Sequence, residues 1–519
     1  MQYKICFFSL VCFPLLTFAQ QGKITGFTDK PLRIEVAAQS DKETYRIIPC
    51  GEKGMILFYK SVETAGETSA RWYFSFYDQH LQQIWIKSAP IISSLDFKAT
   101  ELTSDTVNLF FEADRKAKNN EINFQILRIL IPQGAFILNN GKSPESSTMA
   151  FFRVESQKAF IGLNTSENDQ VRVMVLDLPT GNVHLFPVGE DGKSTLIYMT
   201  VDTSDQVVKS LITKRISKRQ TELSLIKQMK DGELVYETHI SDYNSGRAFN
   251  NAREIRLIKD ETLVAGTYTQ GLSSKKGSSD ETTGFFTSPV VTSIQTSINF
   301  YNFLDLKNIR LLLDERDVLN LRKKSMKKNR SDQEYSLDFS ILLHDLLYWK
   351  GEYILVAETY FPQFHTESFT DYDFYGRPFT NSYSVFDGYR FTGVMVVSFD
   401  DQGKLLWDNS MEIRNILTFS LSPKVVLHFN SDEIVMTYLS EGKIASRIIK
   451  RNEIIEKTTY SELELSSPND KLLSETLSQM VFWYDNYFLC SGYQEIRDIS
   501  KGSNDKRLVF FCNKVRFER

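Results

Sequence analysis

The chain has 519 residues, with 61 Lys and Arg against 65 Asp and Glu, for a formal charge of −4. That balance offers no field for nucleic acid, so none is expected as a partner. Aromatics make up 13% of the residues, led by 38 Phe and 23 Tyr, which favours strands over helices, and five cysteines are too few for a disulfide-stapled scaffold.

The first element reads as an export signal. Lys4 is a small positive n-region, residues 5–16 are an almost unbroken apolar run, and Thr17, Phe18 and Ala19 form a small-x-small cleavage site. Residues 1–19 are therefore predicted to be a signal peptide and 20–519 a single domain exported to the periplasm or cell surface. Val11 stands before Cys12 where a lipoprotein would carry a small residue. No later stretch reaches the roughly 18 apolar residues that spanning a bilayer requires, so no transmembrane segment is expected in the mature chain.

A short apolar strand then recurs: ILFYKS (56–61), VNLFFE (107–112), AFIGLN (159–164), VVKSLI (207–212), LVAGTY (263–268), ILVAET (354–359), IVMTYL (434–439) and FLCSGY (488–493). Most copies follow another strand and a tight turn. Most precede a third strand, and a fourth often follows across a turn containing Gly, as in VVSFDDQGKLLWDNS (396–410); YFSFYDQHLQQIW (73–85) is a similar phrase with Asp78 at its turn. Asp caps such a loop, Gly supplies its positive φ, and the Trp packs between neighbouring sheets. Four antiparallel strands every 48–56 residues over the first five copies indicate an all-β fold, a β-propeller of eight blades, or seven if one copy is misread.

The chain ends after a third strand, RLVFFCNKVRFER, and the missing fourth strand is predicted to be PLRIEVAA (31–38), which would close the ring and hide an open edge. That alignment sets Cys490 and Cys512 nearly opposite each other and predicts a disulfide between them. The competing reading makes Cys50, Cys490 and Cys512 small buried hydrophobes.

Two insertions stretch the period. Near 295–335, Phe300, Phe303, Leu304, Ile309, Leu312, Leu313, Val318 and Leu319 recur at helical spacing, which predicts a helical insertion. It ends in Arg322, Lys323, Lys324, Lys327, Lys328 and Arg330, read as a solvated helix end before a basic docking patch. Residues 361–391 hold eleven aromatics in 31 positions, predicting a long aromatic loop folded back over one face of the ring. Its candidate ligand-binding residues are Asp371, Tyr372, Asp373, Tyr375, Arg377, Tyr389 and Arg390, with the tyrosines as stacking platforms and the charged groups as polar contacts.

Catalytic signatures are absent: no H-E-x-x-H, no C-x-x-C, no G-x-S-x-G, and six histidines without ligand spacing. SFDDQGKLLW resembles both the sialidase Asp-box and the tryptophan-docking turn of quinoprotein dehydrogenases, but any Asp/Gly hairpin in a propeller would. No metal and no cofactor are expected.

FYNFLDLKN, SILLHDL, YILVAETYFP, FDGYRFTG and VVSFDDQGKLLWDN together resemble a group of uncharacterised secreted β-propeller-like proteins of Bacteroidetes bacteria, over roughly residues 260–415. The resemblance implies location more than mechanism. It also makes Asp105-Thr106-Val107 a match to the O-glycosylation sequon of those bacteria. The leading expectation is a non-enzymatic scaffold or accessory subunit of the cell envelope, binding an envelope protein. The alternative is a glycan-binding protein using 361–391. The third is a propeller glycoside hydrolase or lyase, whose two acids would have to converge across blades.

Overall fold

Short strands that are apolar on both faces must be sandwiched between neighbours, and a ring of stacked sheets achieves this without free ends. The structure, a computed structural model, describes residues 26–38, 44–113, 122–144, 146–166, 170–189, 192–202, 206–217, 220–241, 247–257, 261–270, 281–313, 337–500 and 505–518. Among these, strands form eight antiparallel sheets. Blade 1 comprises Arg46–Pro49, Met55–Thr64, Ser69–Tyr77 and Gln83–Ile92; blade 2 comprises Leu95–Thr103, Thr106–Ala113, Phe124–Leu130 and Ala135–Gly141. Blade 3 is Ser147–Glu155, Lys158–Thr165, Val171–Asp177 and Val183–Val188; blade 4 is Ser194–Asp202, Val207–Ser217, Gln220–Met229 and Leu234–Ile240. Blade 5 has Arg247–Arg256, Glu261–Gln270 and Gly284–Val291, with Ile294–Gln295 and Asn299–Asn302 sharing its outer position. Blade 6 has Phe339–Leu343 with Leu347–Trp349, then Glu352–Tyr372, Pro378–Phe399 and Leu405–Thr418. Blade 7 is Val426–Asn430, Glu433–Ser440, Lys443–Lys450 and Glu453–Glu462. Blade 8 is Asp470–Tyr484, Tyr487–Asp498, Lys506–Glu518 and, from the other end of the chain, Gly26–Ala37.

A buried apolar cluster fills every gap between consecutive blades. Phe58 and Trp72 meet Phe111, Phe110 meets Phe152, and Phe160 meets Leu196. Leu225 meets Phe249, Phe285 meets Leu355, Trp407 meets Met436, and Val435 meets Phe488. The eighth cluster joins Leu489 and Phe510 of blade 8 to Met55 and Leu57 of blade 1. This contact closes an eight-bladed β-propeller. The recurrent apolar strand is the second strand of every blade: paired on both edges and packed on both faces, it has no polar side to show.

The closing strand lies where the sequence puts it, with Leu32–Ala37 running antiparallel to Val509–Lys514. The two related Asp turns also have the same construction. Asp78 Oδ1 accepts from the backbone N–H of His80 and Gln82, each at 2.8 Å, and Asp400 Oδ1 accepts from those of Gln402 at 3.0 Å and Lys404 at 2.7 Å. The positive φ falls on Gly403 (71°) in one and on Leu81 (56°) in the other.

Three expectations need correction. Cys490 and Cys512 are free thiols. Cys490 pairs with Asn513 and Ser491 with Cys512, so the two cysteines are one register step from facing each other. In a sheet one step reverses the face: Cys490 lies in the blade 7–8 core and Cys512 in the blade 8–1 core. The helical insertion is not helical over 295–313. Phe300 pairs with Phe286 as a strand residue, Phe303 and Ile309 drop singly into the blade 5–6 core, and only two short 3-10 turns, Phe303–Asp305 and Ile309–Leu312, are present there. Its apolar residues are separate anchors along the sheet, not one helical stripe. Residues 1–19, Val318, Leu319 and the basic run Arg322 to Arg330 lie outside the described residues. The aromatic loop is not a loop: it is the distal half of a hairpin formed by Glu352–Tyr372 and Pro378–Phe399.

Candidate functional site

The hairpin arises from the same residues that suggested a loop. Ser, Thr, Phe and Tyr dominate 361–391, all compatible with a pleated strand, and the turn residues are confined to Asp373 through Arg377. Thr366, Ser368 and Thr370 face Ser384, Ser382 and Thr380 across the ladder. The inner strand of blade 6 pairs with the hairpin only as far as Tyr360, and the outer strand only as far as Tyr389. Beyond those points the ribbon has two strands and two outer edges without a sheet partner among the described residues. The eleven residues from Pro362 to Tyr372, ten steps of about 3.3 Å, make an arm roughly 33 Å long.

Its surface is aromatic. Phe374 and Tyr375 at the tip are 97% and 79% exposed, and Phe361, Phe364, Phe369, Phe379 and Tyr383 are exposed along the shaft. One face carries His365 between Asp387 and Glu367, and Tyr383 donating to Glu367. Asp387 first and Glu367 second hold the His365 imidazolium and raise its pKa.

The seven predicted ligand residues fall into two groups at opposite ends of the arm. At the tip, Asp371 Oδ1 accepts from Tyr372 N at 2.9 Å; Asp373 Oδ1 accepts from Tyr375 N at 2.9 Å and Arg377 N at 2.8 Å. These carboxylates hold their own turn, and the Arg377 guanidinium lies 5.8 Å from the Tyr375 ring centroid. At the root, Arg390 Nε donates to Gln363 Oε1 at 2.6 Å, and Tyr389 meets Tyr360 edge-on at 5.5 Å. No single pocket unites the two groups.

The root leads to two features that the linear sequence hides. The first is a cleft of about 540 Å³ between the ends of blades 4, 5 and 6. Lys193, Arg215, Asn250, Asn251, Phe249 and Tyr360 line it, together with five threonines. These residues come from three blades, and only Tyr360, four positions after Val356, adjoins a segment that reads as unusual.

The second lies deeper in the ring, where five consecutive blades each contribute one polar side chain. Arg153 Nη1 lies 3.6 Å from Glu101, and Arg253 Nε lies 3.4 Å from Asp345. Arg253 also sits 5.0 Å from the Tyr198 ring centroid and donates from Nη2 to Leu343 O at 2.9 Å. Burial raises the Glu101 pKa, and Glu155 and Asp345 raise it further against the pull of Arg153. Burial, with Asp345 and Glu254, pushes the Tyr198 phenol up. Glu101 and Asp345 are each faced by an arginine, which ties blade 2 to blade 3 and blade 5 to blade 6.

Blade 6 is held to blade 7 by a buried carboxylate. Glu358 accepts from Lys424 N at 2.8 Å, from Val425 N at 2.8 Å and contacts His344 Nε2 at 2.7 Å. Trp407 Nε1 donates to Glu352 at 2.6 Å, and Arg451 of blade 7 reaches the same carboxylate at 2.9 Å. The arm therefore rises from a braced base.

No protein-family model matches the chain, and no curated protein does. Solved structures that resemble it include the polysaccharide lyase Uly1, at 10% identity and a TM-score of 0.39 over 81% of this chain and 90% of that one. The β-propeller domain of the Trilobed protease from Pyrococcus furiosus matches at 9% identity and a TM-score of 0.34, over 80% of this chain and 95% of that one. A prolyl endopeptidase matches at 8% and 0.35, over 80% of this chain and 50% of that one. The propeller itself rests on the eight sheets and eight seams. Among the described residues no helix is long and apolar enough to cross a membrane.

Proposed function

We propose that this is an exported, non-enzymatic propeller that docks another cell-envelope protein through the blade 6 arm. The arm carries the reading. An isolated two-stranded ribbon is at best marginally stable in water, and unpaired strand edges are templates for another chain. A ribbon roughly 33 Å long with exposed aromatics gains from a partner that adds a strand to an edge and covers its rings. Aromatic side chains are the residues that supply most energy in such contacts. Export is supported by the apolar N-terminal segment and its small-x-small site.

The glycan alternative is less well supported at the arm, because the tip carboxylates are committed to the turn and the tyrosines are spread over its length.

A photo-crosslinking residue at position 374 or 383 tests the reading in cells, with one at Val183 on the outer strand of blade 3 as control. One partner joined stoichiometrically at both arm positions, absent from the control, is the expected result. The same crosslinks from all three positions, or none from the arm, would overturn it.

A further inference from the structure

The two edges of the arm differ in kind. The edge along residues 362–372 carries His365, Glu367 and Asp371, charges of the sort that keep an edge strand from pairing. The edge along residues 378–386, PFTNSYSVF, carries none. Asp373 N donates to Arg377 O at 3.0 Å, and from there the ladder runs without a register shift to Phe364 opposite Phe386. Inward and outward backbone groups alternate along such a ladder. Thr380, Ser382, Ser384 and Phe386 therefore turn N–H and C=O outward, and Pro378, which has no N–H to leave unpaired, falls on the same side. Among the described residues no strand takes these groups. The open stretch ends at Tyr389, which pairs with Thr418. Around that end Leu417, Phe419 and Leu421 are exposed, Phe419 at 69% and 6.2 Å from Phe386.

We infer that this edge pairs with the same edge of a second copy of the chain, the two arms running antiparallel about a two-fold axis through Ser382. Such an interface is self-complementary, and this strand meets that requirement. Ser382 faces Ser382, Thr380 faces Ser384, Phe379 faces Val385 and Asn381 faces Tyr383, with no like charges opposed. At each end Arg377 of one copy faces Asp387 of the other. Asp387 holds His365 through Oδ1, while its Oδ2 has Gln363 Nε2 at 3.4 Å, so the carboxylate has room for a guanidinium. The register is fixed at both ends. Sliding it by one hydrogen-bonded pair toward the root sets Arg377 against Tyr389, whose edge Thr418 already occupies. Sliding it the other way sets Asp387 against Tyr375 and breaks the charge pair. In the chosen register each tip turn, with Phe374 and Tyr375 97% and 79% exposed, arrives at the other copy's exposed Leu417, Phe419 and Leu421. A second copy thus accounts for the unguarded edge, the exposed tip rings and the apolar shelf at the root together.

The inference rests on the arm as a docking element and leaves the charged edge, residues 362–372, to the envelope partner. Sedimentation velocity of the full exported chain, alone in solution, reads the association, and a dimer that grows with concentration is expected. Ser382→Pro, tolerated on an edge strand because that N–H faces outward, should be monomeric. Single cysteines locate the axis against a background of three buried native thiols. Under mild oxidation Ser382→Cys should give a disulfide-linked dimer, since directly opposed hydrogen-bonded residues lie about 5.5 Å apart, within disulfide range. Thr380→Cys and Ser384→Cys should each stay unlinked alone and link to each other when mixed. A wild type that stays monomeric at every concentration, a Ser382→Pro variant that dimerises like the wild type, or equal crosslinking of all three single cysteines would overturn the inference. Loss of the dimer with in-cell crosslinks from the arm to an envelope protein intact would remove only the self-pairing; loss of both would remove the arm as a docking element.

Discussion

Replacing Arg33 with Met should open the seam between blades 7 and 8, because Arg33 pairs with Asn513, and Asn513 with Cys490, on the face that carries Phe511. The Arg33 side chain is 4% exposed. Its guanidinium donates to Glu35 Oε1 at 2.8 Å, Asn513 Oδ1 at 2.9 Å and Gln494 Oε1 at 2.8 Å, and stands 4.8 Å from the Phe511 ring centroid. Asn513 and Gln494 are fully buried. Met keeps the apolar stem over Phe511 but leaves two buried carboxamide oxygens and a carboxylate short of their donor. Removing one member of such a buried network costs about 3–5 kcal/mol. Cys490, paired with Asn513 and buried in that seam, reports the opening. If labelling tracks the opening equilibrium, its rate should rise between roughly 140-fold and 3,700-fold, since each 1.4 kcal/mol is tenfold. Cys512, on the other face of the same blade, is the control and should respond less. A Cys490 rate within about threefold of wild type would refute the idea that Arg33 latches the closing strand.

Three further outcomes follow from the geometry. Burial pushes the Cys50 and Cys512 thiols up to about 12 and the Cys490 thiol well up, so native protein at pH 8 should resist iodoacetamide at all three; a Cys490–Cys512 linked peptide in a non-reducing digest would contradict the register. Arg507 donates to Asp470 at 2.9 and 2.6 Å and holds its carboxyl below the ordinary value of 3.8. A lowered folded pKa contributes stability that is present above the unfolded pKa and disappears as pH falls through the folded one. Asp470→Asn should therefore be less stable than wild type in urea at pH 7, with the gap closing below about pH 4; a gap constant across that range would count against the pair. At Gly403, φ is +71° and a Cβ would lie 2.5 Å from Thr287 Oγ1, whereas at Gly376, φ is +74° and nothing lies within 4 Å. Gly403→Ala should lower the melting temperature clearly, and Gly376→Ala, at the arm tip, should cost no more than about 1 kcal/mol; equal effects would show that backbone strain, not the blade 5 contact, dominates.

Much of this architecture is legible in the linear order because its signals are local. The Asp78 and Asp400 turns are each written within five residues, and the doubly buried second strands stand out as apolar runs. The closing strand could be placed because a four-strand period left one strand missing at the far end. Reading failed where the signal depended on pairing. Helical spacing around Phe300 and Ile309 arises as readily from separate anchors dropped into one core. The aromatic content of 361–391 marked a special segment, but not that its two halves would pair into an arm and carry Asp371 and Tyr389 to opposite ends. The Cys490 and Cys512 faces turned on a single register step, which no spacing along a chain encodes. The cleft lined by Lys193, Asn251 and Tyr360, and the facing pairs Glu101–Arg153 and Arg253–Asp345, exist only once the blades are stacked. The sequence alone determined the repeated module and the way its ring closes, because strand periodicity and turn chemistry act over a few residues. Which side chains converge was decided by tertiary structure, because residues from different blades meet only when the seams between them are packed.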